Sequence, residues 1–147
     1  GSVVINDRLV MAGGYNSNSK DLSSIEVTAP NTRSRTLSVK LPVPFRRACI
    51  VFWDENTFMI TGGFNSYKRR ETYLINIDKN TITNGPKLLK GRYRHGCQKV
   101  TLNGESFIIV AGGIGGAHRT TEVLSVANYR NGWKNGNVWA NLSLLER

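Results

Sequence analysis

Phe58-Met59-Ile60-Thr61-Gly62-Gly63 is the stretch on which the reading of this chain depends. An apolar run that ends in paired glycines describes a buried strand stopping at a turn that needs positive φ or a very close approach of backbone. The same pattern stands at Leu9-Val10-Met11-Ala12-Gly13-Gly14 and at Ile108-Ile109-Val110-Ala111-Gly112-Gly113, so the glycine pairs recur after 49 and 50 residues. Other features keep step with them. Arg46-Arg47-Ala48-Cys49-Ile50-Val51-Phe52 and Arg94-His95-Gly96-Cys97-Gln98-Lys99-Val100 each open an apolar run, and Glu26, Glu71 and Glu122 each stand in a β-rich run after a glycine pair. A period of this length marks an array of one supersecondary unit.

Each unit parses into four short strands. The first takes residues 3–5, 8–12, 24–28 and 35–40, the second 48–53, 57–61, 72–77 and 81–83, and the third 97–102, 106–111, 122–127 and 138–142. Tight polar connections, Asn6-Asp7, Asp54-Glu55-Asn56 and Asn103-Gly104-Glu105, join the first two strands of each unit with the residue types that hairpin turns require. The expectation is an all-β protein of three four-stranded antiparallel sheets, one repeat region over 1–147 with units at about 3–42, 46–89 and 94–147. Hydrophobic residues at 39% and charged residues at 20% belong to a folding, globular chain. No run is apolar enough to cross a membrane as a helix, and the start lacks the segments of a signal peptide. Gly1-Ser2 reads as the scar of a cleaved tag.

The paired glycines, the Glu about ten residues on and the Arg-His-Gly-Cys opening of the third unit together resemble kelch repeats, over essentially the whole chain. The resemblance implies four-stranded blades arranged radially around a central channel. The Tyr and Trp that mark outer kelch strands are poorly kept: Tyr73 is a fair match, Trp133 or Trp139 a loose one. A closed propeller needs four to eight blades. Three blades leave two apolar faces uncovered, so the further partners implied are more blades of a longer parent chain or a second copy making a six-bladed ring. The start on strand material favours the longer chain.

Charge carries the functional expectation. The net charge of +10 attracts acidic peptides, nucleic acid or anionic surfaces. In a four-stranded meander the second-to-third-strand loops and the connections between units emerge at one end. Those segments hold Lys20, Arg46, Arg47, Lys68, Arg69, Arg70, Lys90, Arg92, Arg94 and Arg119, ten of the 20 basic residues. Tyr15, Asn16, Phe64, Asn65 and His118 are interleaved with them, a mixture suited to gripping carboxylates while adding apolar contact. The kelch resemblance adds that adaptor proteins of this type bind acidic peptides on this face through the Arg opening the inner strand, which Arg46 and Arg94 match. The expected function is therefore non-enzymatic binding of an acidic protein or peptide segment, with Gly13, Gly14, Gly62, Gly63, Gly112 and Gly113 as structural positions.

Other classes find less. No RNA-binding motif or row of stacking aromatics supports nucleic acid. The acids lie in scattered turns, which leaves a fragment of a galactose-oxidase-like propeller enzyme as the catalytic alternative. His95, His118, Cys49 and Cys97 have no metal-ligand spacing, so neither metal nor cofactor is expected. Gly112-Gly113 with Gly115-Gly116 lacks the Lys-Ser or Lys-Thr of a phosphate loop. Cys49 and Cys97, read as equivalent positions on neighbouring inner strands, are expected to project in parallel and stay reduced.

Overall fold

Alternating apolar and polar residues, broken by Gly, Asn and Asp, fold into fourteen short strands among the described residues. The computed structural model describes residues 1–115 and 118–136. In chain order these are β1 (Ser2–Ile5), β2 (Arg8–Tyr15), β3 (Asp21–Thr28), β4 (Arg35–Thr36), β5 (Cys49–Asp54), β6 (Thr57–Thr61), β7 (Phe64–Asn65), β8 (Tyr67–Lys68), β9 (Thr72–Asn76), β10 (Thr81–Asn84), β11 (Gly96–Leu102), β12 (Glu105–Ala111), β13 (Thr121–Ser125) and β14 (Lys134–Asn135). They form three four-stranded antiparallel sheets in the orders β1-β2-β3-β4, β5-β6-β9-β10 and β11-β12-β13-β14, the architecture expected from the repeat. The extra pair β7-β8 is a small hairpin inside the loop between β6 and β9. The stretch 138–142, expected as the last strand, lies outside the described residues; β14 pairs with β13 through Glu122 and Val123.

The three sheets pack face to face at two seams. In β6, Phe58 and Ile60 face the first sheet while Met59 faces the third, so the middle sheet is buried on both sides and reads as an unbroken apolar run. At the first seam Val10, Ala12, Ile25 and Val27 meet Ile50, Phe58, Ile60 and Ile75. At the second, Val51 and Met59 meet Ile108, Val110 and Leu124, and Trp133 closes the outer edge by donating its indole N–H to Pro86 O at 2.9 Å.

The glycine pairs anchor the connections. Gly13, Gly62 and Gly112 have φ of 60°, 60° and 67°. A Cβ on Gly62 would stand 2.4 Å from Arg92 O, and one on Gly13 would stand 2.5 Å from Phe45 O, so any side chain there collides with the strand-to-sheet linker. In the first two pairs the second glycine bonds that linker: Gly14 N–H donates to Phe45 O and Gly63 N–H to Arg92 O, both at 2.9 Å.

One expectation is overturned. Cys49 and Cys97 form a disulfide, with Cα atoms 6.0 Å apart, and among the described residues no cysteine is free. The register shows why. Cys49 pairs with Thr61, one residue before Gly62, whereas Cys97 pairs with Val110, two before Gly112. The cysteines are therefore one pleat out of step, not equivalent. Because successive side chains point to opposite faces, Cys49 leaves the middle sheet toward the third and Cys97 leaves the third toward the middle. They meet across the seam at a spacing within disulfide range.

Candidate functional site: a cation and aromatic ladder

At the end of the sheets where the glycine pairs lie, the linkers fold back onto the loops that follow the glycines. Arg46 pairs with Phe64, and Tyr93 with Ile114, as isolated antiparallel bridges. Counting from the glycine pairs, Tyr15, Phe64 and Ile114 are one equivalent position, Arg46 and Tyr93 a second, and Arg47 and Arg94 a third. The fold thus lays three sets of side chains across neighbouring sheets at one end.

The result is an alternating row. The Arg46 guanidinium stands 4.2 Å from the centre of the Tyr15 ring and 5.5 Å from that of Phe64. The Arg47 guanidinium is 6.0 Å from both Phe64 and Tyr93, whose rings lie 4.9 Å apart and tilted at 56°. Arg46 is also tied to Asp21 at 3.1 Å, and that pair is half-buried. Arg47 and Arg94 are exposed and have no carboxylate partner among the described residues. The amide of Arg94 donates to the carbonyl of Arg47 at 2.9 Å, so the two stand next to each other in adjacent sheets. Both hold left-handed backbone, with φ of 60° and 54°. That conformation costs a non-glycine residue roughly 1 kcal/mol or more, and such strain gathers at functional positions.

The other residues singled out from sequence divide by environment. Lys20, Arg119 and His118 are exposed. Lys68 and Arg70 are exposed as residues but brace the loops, donating to Gly115 O and Leu88 O at 2.6 Å each. Arg69 is buried beside Glu71 at 3.3 Å and lies over the Tyr67 ring, so it offers little to a ligand. The Asn16 carboxamide accepts the amides of Asn18 and Lys20 and shapes its turn, and Asn65 donates to Pro44 O. Tyr93, which links Arg47 to the row, carries no sequence signal except its place one residue before Arg94.

Arg92, grouped by sequence with the loop cations, is fully buried. Its guanidinium bonds Gly112 O at 2.8 Å, Thr120 O and Thr120 Oγ1 at 3.0 Å each, and Glu122 Oε1 at 2.7 Å. Glu122 in turn accepts the amides of Leu89 and Lys90. Phe45, the linker residue equivalent to Arg92, stacks on Tyr73, the residue equivalent to Glu122, with centroids 6.2 Å apart and planes at 11°. One geometric position is thus filled by an aromatic pair in the second sheet and by an ion pair in the third.

Beneath the ladder, His95 is buried with Nε2 2.8 Å from Thr61 Oγ1 and Nδ1 without a partner. Burial, reinforced by the Arg92 charge, pushes its pKa down to about 4. The imidazole is neutral in the fold but ordinary in the unfolded chain, so the unfolded state binds the extra proton between those values. Stability is complete above about pH 6.5 and falls as pH drops toward 4, by on the order of 3 kcal/mol from this residue. Thermal melts at pH 7.5 and pH 4.5 check this: His95→Gln is expected to flatten that part of the profile, and an unchanged slope would show that other groups govern it.

Among the described residues, no three His, Cys, Asp or Glu side chains gather as a metal site. No helix among them is long and apolar enough to cross a membrane. No family model matches the chain, and no curated protein matches it.

Proposed function

We propose that the chain is a run of kelch-type propeller blades whose glycine-pair end binds an acidic segment of a partner protein. The observation that carries the reading is the pair Arg47 and Arg94: adjacent, exposed, without carboxylate partners among the described residues and held in backbone that a glycine would adopt more cheaply. Arg46, by contrast, is neutralised by Asp21 and serves to space Tyr15 from Phe64. A carboxylate-bearing segment lying along the row meets two free guanidinium groups able to form charge-assisted bonds, with aromatic rings beside them for apolar contact. Charge that is exposed on both partners makes the attraction fall with salt over a screening length of about 8 to 10 Å.

The test begins with selection of random peptides on the intact chain, which is expected to enrich Asp and Glu. The selected peptide is then titrated against Arg47→Gly and Arg94→Gly. Glycine suits both backbones, so the melting temperature is expected to hold, while affinity falls roughly tenfold or more for each lost charge-assisted bond. Enrichment of peptides without acids, or unchanged affinity in both variants, would contradict the reading.

A further inference from the structure

Each linker residue next to the glycine turn works on two sheets at once. The carbonyl of Phe45 takes the Gly14 amide of the first sheet while its ring packs on Tyr73 of the second. The carbonyl of Arg92 takes the Gly63 amide of the second sheet while its guanidinium enters the third to meet Glu122. The register extends this series to the first sheet. Glu26 pairs with Met11 as Glu122 pairs with Val110 and Tyr73 with Ile60, so Glu26 occupies the position that Glu122 and Tyr73 hold. It has no ion-pair partner among the described residues.

The face around it has the same history. Leu9 and Met11 are the positions of Phe58 and Ile60, which are fully buried, and of Ile108 and Val110, likewise. Yet Leu9 is 38% and its β1 neighbour Val4 is 62% exposed. An apolar sheet face with one acid at its rim is thus left uncovered, where both equivalent faces are covered by a sheet whose linker enters the next.

From this match we infer that the Val4, Leu9, Met11 and Glu26 face docks a further four-stranded sheet whose exit linker carries an arginine, seated on Glu26 as Arg92 is on Glu122. An aromatic linker residue of the Phe45 kind would strand the carboxylate, whereas a guanidinium pairs with it and bonds the neighbouring carbonyls. A second copy of this chain matches less well. Arg92 follows the outer-strand residue Asn84 by eight positions, but the sequence after the equivalent Asn135 has its one basic residue at Arg147, twelve positions on. The inference is independent of the ligand proposed for the glycine-pair end.

The experiment attaches an extra copy of residues 46–95, the second sheet with its Arg92 linker, ahead of the full chain. Glu26→Gln is expected to raise the unfolding equilibrium constant tenfold or more in the extended protein and to leave that of the original chain within about twofold. Replacing the arginine of the added linker by Met is expected to abolish that difference, and Glu26→Gln combined with it is expected to cost nothing more. Light scattering of the original chain provides the second readout. An equal effect of Glu26→Gln in both proteins would overturn the inference, and so would a dimer of the original chain that Glu26→Gln dissociates, since the occupant would then be a second copy.

Discussion

Arg92→Ala is expected to cost about 3 to 5 kcal/mol, because it leaves Glu122 buried and uncompensated. Arg92 is wholly buried and its four hydrogen bonds join the linker to the loop after β12 and to β13. Glu122→Ala should be costly for the reciprocal reason, since a guanidinium would be stranded. Replacing both by apolar residues is a different matter. The equivalent position in the second sheet is already apolar, Phe45 on Tyr73, and holds the equivalent linker there. Arg92→Phe with Glu122→Tyr is therefore expected to recover most of the loss, as apolar replacements of buried ion pairs often do. Denaturant titration of the four proteins gives the cycle; a double variant as unstable as the sum of the singles would show that the two sites are not interchangeable.

Loss of the Cys49–Cys97 disulfide should be nearly as severe. The bridge closes a loop between residues 48 positions apart, for which chain entropy gives a stabilisation of about 4 kcal/mol. It also ties the inner strands β5 and β11, which neighbour each other but share no hydrogen-bonded ladder. Cys49→Ala with Cys97→Ala is expected to lower the unfolding free energy by that order. Intact mass after alkylation should show no adduct without reductant and two after denaturation with it. Two adducts in the untreated protein would refute the bridge.

These two features mark where the sequence stopped being legible. The repeated apolar run and glycine pair disclosed the three sheets and nearly all the strand positions, because the collision of a Cβ with the linker at Gly13 and Gly62 leaves glycine as the residue that fits. The cysteine pairing was hidden by a small discrepancy. The cysteines are 48 residues apart while the last glycine pairs are 50 apart, and hairpins of different turn length absorb the mismatch as a one-residue offset that reverses the face. Arg92 was misread because a basic residue in a linker resembles any solvated cation. The clue lay across the chain, in Glu122 standing opposite Val110 on a buried face, where an acid needs a cation. The candidate site was legible as a concentration of charge, but not as a ladder: that Arg46 is neutralised by Asp21, that Arg69 is buried beside Glu71 and that Arg47 and Arg94 have no carboxylate partner among the described residues depends on distances that no spacing reveals.

Backbone amide spectra of the chain, recorded while the selected acidic peptide is added, test the binding claim most directly. The ladder reading predicts saturable shifts at Tyr15, Arg46, Arg47, Phe64, Tyr93 and Arg94 that weaken as salt is raised, with the turns at Asp7, Glu55 and Glu105 unmoved. Shifts confined to those opposite turns, or none at the glycine-pair end at a saturating concentration, would contradict it.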